Sequence, residues 1–200
     1  MRRTPPHSIV SKAGRLVVGR RQGQLVLDWA VPGVESTTAP SAPAADKEAA
    51  ALIAALTRWL KGNARALDGI PTGKGTEFQR AVWNACRTIP RGETRTYGWI
   101  AQRLGKSGHA ARAVGQALRK NPLSIVVPCH RVVGASGLGG YSGATAGPLA
   151  QVKERLLALE LELEEKSARG RGKVSSTVRT KRPEATPPTR RRGNTMARAC

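Results

Sequence analysis

Between Thr76 and Lys120 the apolar residues recur at helical spacing in short runs, each cut off by proline or glycine. A chain punctuated this way cannot build one long helix. It must fold back into several short helices packed on one another. The first run puts Phe78, Val82, Trp83, Cys86 and Ile89 on one face, with Thr76 as its cap and Pro90 as its stop. The polar turn Pro90-Arg91-Gly92-Glu93-Thr94 leads into a second run, Tyr97 to Gly105. A third, roughly Ala110 to Lys120, turns Val114 and Leu118 inward and Arg112, Arg119 and Lys120 outward. Two short helices joined by a glycine-containing turn, the second of them basic, form a helix-turn-helix pattern.

The flanking segments read differently. Residues 8–31 alternate short apolar runs with polar punctuation and predict two or three strands with a tight turn near Gly23. A Pro/Ala/Ser/Thr stretch, 32–45, reads as a loop. Residues 46–61 follow helical spacing, with Asp46 as N-cap and Ala50, Ile53, Ala54, Leu56 and Leu60 on one face. The segment Gly69 to Gly75 reads as a linker. Residues 124–127 predict a short strand entering Pro128-Cys129, and a last helix is expected from about Pro148 to Glu165. Residues 166–200 hold eleven Lys or Arg, one Glu and almost no large apolar side chain, the composition of a disordered basic tail. The expected fold class is therefore α/β. A small N-terminal strand-plus-helix domain (1–72) precedes a helical, winged-helix-like domain carrying the helix-turn-helix (73–165), and the tail (166–200) follows.

Charge narrows the function. The chain of 200 residues carries a formal net charge of +21, far from the balance expected of an enzyme for small neutral substrates. Dispersed Lys and Arg at this density point to a polyanion, most often nucleic acid. Three cysteines, Cys86, Cys129 and Cys200, show no paired spacing, which argues against a disulfide scaffold and for a reducing compartment. No apolar run reaches membrane-spanning length, and no apolar signal core follows Met1-Arg2-Arg3. The expectation is a soluble protein of the cytoplasm or nucleoid, or of a nucleus.

Chemistry concentrates at Val127-Pro128-Cys129-His130-Arg131. A neighbouring imidazole can take a thiol proton, directly or through a water, and the thiolate is the species that attacks carbon. The pair alone also serves hydrolases, metal sites and ordinary cores. Cys86 sits on an apolar helix stripe and reads as core, and His109 as a cap or surface residue. Trp29, Trp59, Trp83 and Trp99 read as core or interface packing.

The blocks Gly75–Trp83, Ile89–Gly98, Ala111-Arg112-Ala113-Val114-Gly115, Asn121-Pro122, Pro128–Gly134 and Gly140-Tyr141-Ser142-Gly143 resemble, in order and spacing, the O6-alkylguanine-DNA alkyltransferases. The resemblance implies a suicide DNA-repair protein that flips an alkylated guanine, and less well O4-alkylthymine, out of duplex DNA. The alkyl group moves irreversibly to the protein's own cysteine, without a cofactor. By motif, Cys129 is the acceptor and His130 the base, acting through a water and held by Glu160. Tyr97 helps rotate the nucleotide and protonates the leaving guanine. Arg112 is the finger that enters the base stack, with Ala111, Arg119, Tyr97 and Asn121 as further DNA-binding residues. Asn121 holds the turn after the recognition helix. Tyr141, Ser142, Asn121, Lys153 and the backbone near Val132 line the guanine pocket.

Three features depart from the family pattern. The link 144–151 is longer, Ser124 stands where some members have proline, and the N-terminal part has too few Cys and His for a zinc site, so no metal is expected. A monomer is expected. The alternatives are a lesion-binding relative without transfer activity and a helix-turn-helix regulator with a structural Cys-His pair.

Overall fold

The computed structural model describes residues 7–30 and 45–170. Three antiparallel strands, β1 (Ser8–Ser11), β2 (Gly14–Arg21) and β3 (Gln24–Ala30), form a sheet in sequence order. The β2–β3 hairpin turns on two residues, Gln22 and Gly23, both with positive φ (51° and 73°). Two positive φ values in a two-residue loop match the right-handed twist of the flanking strands, and glycine bears the second at no steric cost.

Helix α1 (Lys47–Leu60) packs against β1 and β2, and the Asp46 carboxylate caps it by accepting from the Ala49 amide. Its buried face differs from the expected one. Ala49, Leu52, Ala55, Leu56 and Trp59 face inward, whereas Ala50 and Ala54 are exposed. In a stretch with alanine at every turn, the position of the large side chains Leu52, Leu56 and Trp59 decides which face is buried.

Helix α2 (Glu77–Arg87) opens with the full reciprocal cap: the Gln79 amide donates to Thr76 Oγ1, and the Thr76 amide to Gln79 Oε1. Strand β4 (Arg95–Thr96) then leads into α3 (Tyr97–Arg103), which is capped by the Thr96 hydroxyl. Helix α4 (Ala111–Arg119) follows across residues 104–110 and packs on both α2 and α3. His109, in the turn before it, is exposed.

The segment 124–127 is a tight turn rather than the expected strand. Ile125 takes φ 72°, a conformation strained for a β-branched residue. The surroundings hold it there. The Val127 amide donates to the Leu123 carbonyl, Asn121 Nδ2 donates to the Val127 carbonyl at 3.0 Å, and the Leu123 amide donates to Asn121 Oδ1 at 2.9 Å.

A 3₁₀ turn (Cys129–Arg131) follows, then β5 (Val132–Val133), which pairs in parallel with β4. That pairing sets Tyr97, the first residue of α3, beside the cysteine turn. The last helix, α5, runs Pro148–Gly170, five residues further than expected. Residues 166–170, read as the start of the tail, are thus helical, and the rest of that prediction, like residues 32–44 of the loop expected at 32–45, lies outside the described residues.

Buried side chains from both parts of the chain, among them Leu16, Leu27, Leu56, Trp59, Val82, Val114 and Leu156, form one cluster. Backbone joins the parts as well, since the Leu27 amide of β3 donates to the Pro122 carbonyl at 2.8 Å. Leu56 is fully enclosed in this cluster. Leu56→Ala should therefore destabilise the fold by roughly 2–5 kcal/mol, read as a lower urea midpoint with an unchanged slope.

Candidate active site

Cys129 begins the 3₁₀ turn directly after the strained loop, and its Sγ accepts a long hydrogen bond, 3.5 Å, from Asn121 Nδ2. One amide group thus closes the turn and touches the Cys129 sulfur. Burial pushes the thiol above its usual range, with the Asn121 bond and the nearby Lys153 charge pulling the other way. The resting group is the thiol.

The expected base stands next in sequence. His130 is wholly buried, and its Nε2 lies 2.8 Å from Glu160 Oε1. Burial drives the Glu160 carboxyl up, but His130 and Arg131 outweigh it and hold the group down at about 2. An ionised carboxylate only accepts, so Nε2 carries the ring proton and donates it. Nδ1 is then the lone-pair nitrogen, and it is buried with no hydrogen-bond partner. Burial also keeps the imidazole below its ordinary range despite the pull of Glu160. A neutral ring with a free nitrogen is the form that can take a proton.

Sequence reasoning missed Arg131. Its Nε and Nη2 both donate to Glu160, the latter at 2.7 Å, while Nη1 donates to the Ile89 carbonyl at 2.6 Å. The Gly92 amide adds a further bond to Glu160 Oε2. A carboxylate this buried requires such partners, and the arginine directly after Cys-His was the signal available.

A cleft of about 190 Å³ opens beside Cys129, walled by Tyr97, Tyr141, Ser142, Thr145 and Arg119. Arg119 closes one side over Gly143, where a Cβ would come within 2.6 Å of its Nε. Gly143 also has φ +88°, so a side chain there would be strained and would require Arg119 to shift. The Tyr97 hydroxyl donates to the Gly140 carbonyl at 3.2 Å, and burial raises its pKa.

The structure thus brings Cys129, Tyr97, Tyr141, Ser142 and Arg119 to one cleft, with His130 and Glu160 forming a relay behind it. Asn121, Val132 and Lys153, expected in the pocket wall, are not among the residues that line the cleft. Lys153 is buried and donates to the carbonyls of Val132, Leu138 and Gly140, which fixes the glycine-rich loop that forms the wall. Burial lowers its pKa to about 8. Arg112 is exposed on the first turn of α4, beside the half-buried Ala111, and touches neither the thiol nor the relay. Among the described residues, no group of three or more His, Cys, Asp or Glu is placed to hold a metal ion. None of their helices is long and apolar enough to cross a membrane.

Comparison with known proteins agrees with this geometry. Residues 77–162 match the family model described as 6-O-methylguanine DNA methyltransferase, DNA binding domain. A methylated-DNA–protein-cysteine methyltransferase of Mycolicibacterium paratuberculosis is 59% identical over 88 residues, covering 44% of this chain and 50% of that protein. One from Methanosarcina acetivorans is 48% identical over 106 residues, covering 52% and 64%. The match thus spans between half and two thirds of these curated relatives. The crystal structure of Mycobacterium tuberculosis OGT in complex with DNA aligns over 78% of this chain and 92% of its own, at 36% identity and a TM-score of 0.56.

Fold and site define a mixed α/β protein that holds a buried, histidine-backed cysteine at the edge of a cleft. The chain belongs to the 6-O-methylguanine DNA methyltransferase family.

The relay makes stability depend on pH in a definite direction. Glu160 holds its proton more weakly folded than unfolded, so its stabilisation is complete above its ordinary value of 4.5 and is lost as pH falls toward 2. His130 shifts down as well, so it starts the loss earlier, as pH drops below its ordinary 6.5. Glu160→Gln should remove the lower part of that acid loss. At neutral pH it should cost roughly 3–5 kcal/mol, because Arg131 is left buried without its counter-charge. Urea titrations of both proteins between pH 3 and pH 7 measure both effects.

Proposed function

We propose that this chain repairs DNA by moving the alkyl group from O6 of guanine to Cys129, once per molecule. The observation that carries this reading is the orientation of His130: Nε2 is committed to Glu160, leaving Nδ1 as the unpartnered acceptor on the residue next in sequence to a thiol that opens on the cleft. The proton leaves Sγ for Nδ1 through a water, and the sulfur attacks the alkyl carbon. A C–S bond forms as the C–O6 bond breaks, and the departing guanine takes a proton from the Tyr97 hydroxyl. Transfer from His130 restores Tyr97, so charge balances over the reaction. The product is a thioether with no water-labile bond, which is why the cysteine serves once.

The remaining roles are carried over from the family resemblance. An alkyl group on a stacked base cannot reach a buried thiol, so the nucleotide must leave the helix. Arg112, exposed at the start of α4, would fill the stack in its place. Ala111, small at the same turn, would let the helix approach the backbone, and Arg119 would contact both pocket and phosphate. The α3–α4 pair would serve as a winged-helix-like reading unit on duplex DNA, entering the minor groove. The chain would act as a monomer in the nucleoid or cytoplasm, without metal or cofactor. Residues 1–72 would form the supporting domain, residues from 73 onward the reactive one, and the basic terminal residues would add sequence-independent affinity.

Incubating the protein with a duplex holding one O6-methylguanine, followed by intact-mass measurement, tests the reading. The expected result is a single gain of about one methylene mass on Cys129, absent in Cys129→Ala. Tight lesion binding with no gain would make the protein a damage-binding module.

A further inference from the structure

The tryptophan at position 29 belongs to the N-terminal sheet, yet its indole nitrogen does not bond within that sheet. Trp29 Nε1 donates to the Tyr141 hydroxyl at 2.9 Å, a buried bond between residues 112 apart in sequence. Trp29 lies on β3 two residues after Leu27, and alternation along a strand puts both on the same face. Leu27 is also where β3 bonds to Pro122 and bridges to Leu123, at the start of the turn that carries Cys129. The strand therefore holds both ends of the reactive region: the turn by backbone, the cleft wall by the indole.

Tyr141 needs that hold. Its backbone is pinned by reciprocal bonds with Ala144, at 2.8 and 2.9 Å, across a turn where Ser142 takes φ 50° and Gly143 φ 88°. Those bonds fix one end of the residue. The far end of the ring is fixed by the Trp29 indole. Tyr141 is almost wholly buried and still lines the cleft with Cys129, so its ring is a wall against which the transferred group must fit.

We infer that Trp29 is a positioning and specificity-determining residue for alkyl transfer, setting the Tyr141 wall of the cleft through their buried hydrogen bond. This rests on the function proposed above. An indole N–H can only donate, so Trp29→Phe keeps the ring and deletes the one group at issue. The loosened phenol no longer holds a single pose, and transfer slows while the DNA-binding helices are untouched.

Single-turnover transfer is measured on duplexes bearing O6-methylguanine or O6-benzylguanine, with binding measured separately on an unmodified duplex. For Trp29→Phe the saturating transfer rate should fall roughly tenfold, the size expected when a buried acceptor loses its donor. Duplex affinity should stay within about twofold, since phosphate contacts supply most of it. The benzyl-to-methyl rate ratio should shift at least about threefold, because a displaced wall discriminates by size. Leu52→Val, in the core of the same N-terminal unit, should lower the melting temperature without moving that ratio. A Trp29→Phe ratio equal to wild type would overturn the inference, as would an equal shift in Leu52→Val. A wild-type protein that transfers neither group would overturn the proposed function itself.

Discussion

A carboxylate with no exposure organises this molecule. Glu160 sits on α5, and everything it binds comes from elsewhere: the His130 ring, the Arg131 guanidinium and the Gly92 amide. Leaving such a group unpartnered in the interior would cost several kcal/mol. The helix, the 3₁₀ turn and the loop after α2 are therefore compelled to meet at one point. The same interaction that closes the fold decides which nitrogen of His130 is free.

Helix α5 does this work twice. Lys153 lies seven residues before Glu160, two helical turns away on the same face, among the buried Val152, Leu156, Leu159 and Leu163. The ammonium gathers the Val132 carbonyl of β5 and two carbonyls of the glycine-rich loop, and the carboxylate gathers the donors of the cysteine turn. A helix face carrying one group of each sign serves as a two-point clamp for a segment with little regular structure of its own.

Much of this was legible in the sequence. The caps at Asp46 and Thr76, the hairpin turn at Gly23 and the break at Pro90 each follow from local chemistry that does not depend on distant neighbours. Cys129 and His130 were legible for the same reason: adjacency in sequence brings them together. Errors arose wherever tertiary packing decides. Alanine-rich periodicity gives no preference between the faces of α1. The apolar run 124–127 resembles a strand until Asn121 supplies bonds that favour a turn. Arg131 looks like one more cation in a strongly basic chain until its counter-ion arrives from α5. Trp29, read as packing, does pack, but its nitrogen has a partner no local pattern could reveal.

The bridge between β3 and the turn before Cys129 also has a consequence in time. Leu27 and Trp29 leave the ribosome long before Pro122, Leu123 and Tyr141 are made, so the hairpin forms early with one edge waiting for its neighbour. Closing so long a loop adds little entropy beyond that of a shorter one, because the cost grows only logarithmically with length. It does impose an order of events. Cys129 reaches its final surroundings only when the oldest part of the chain and one of the youngest have met, and until then an unfinished molecule has no formed cleft.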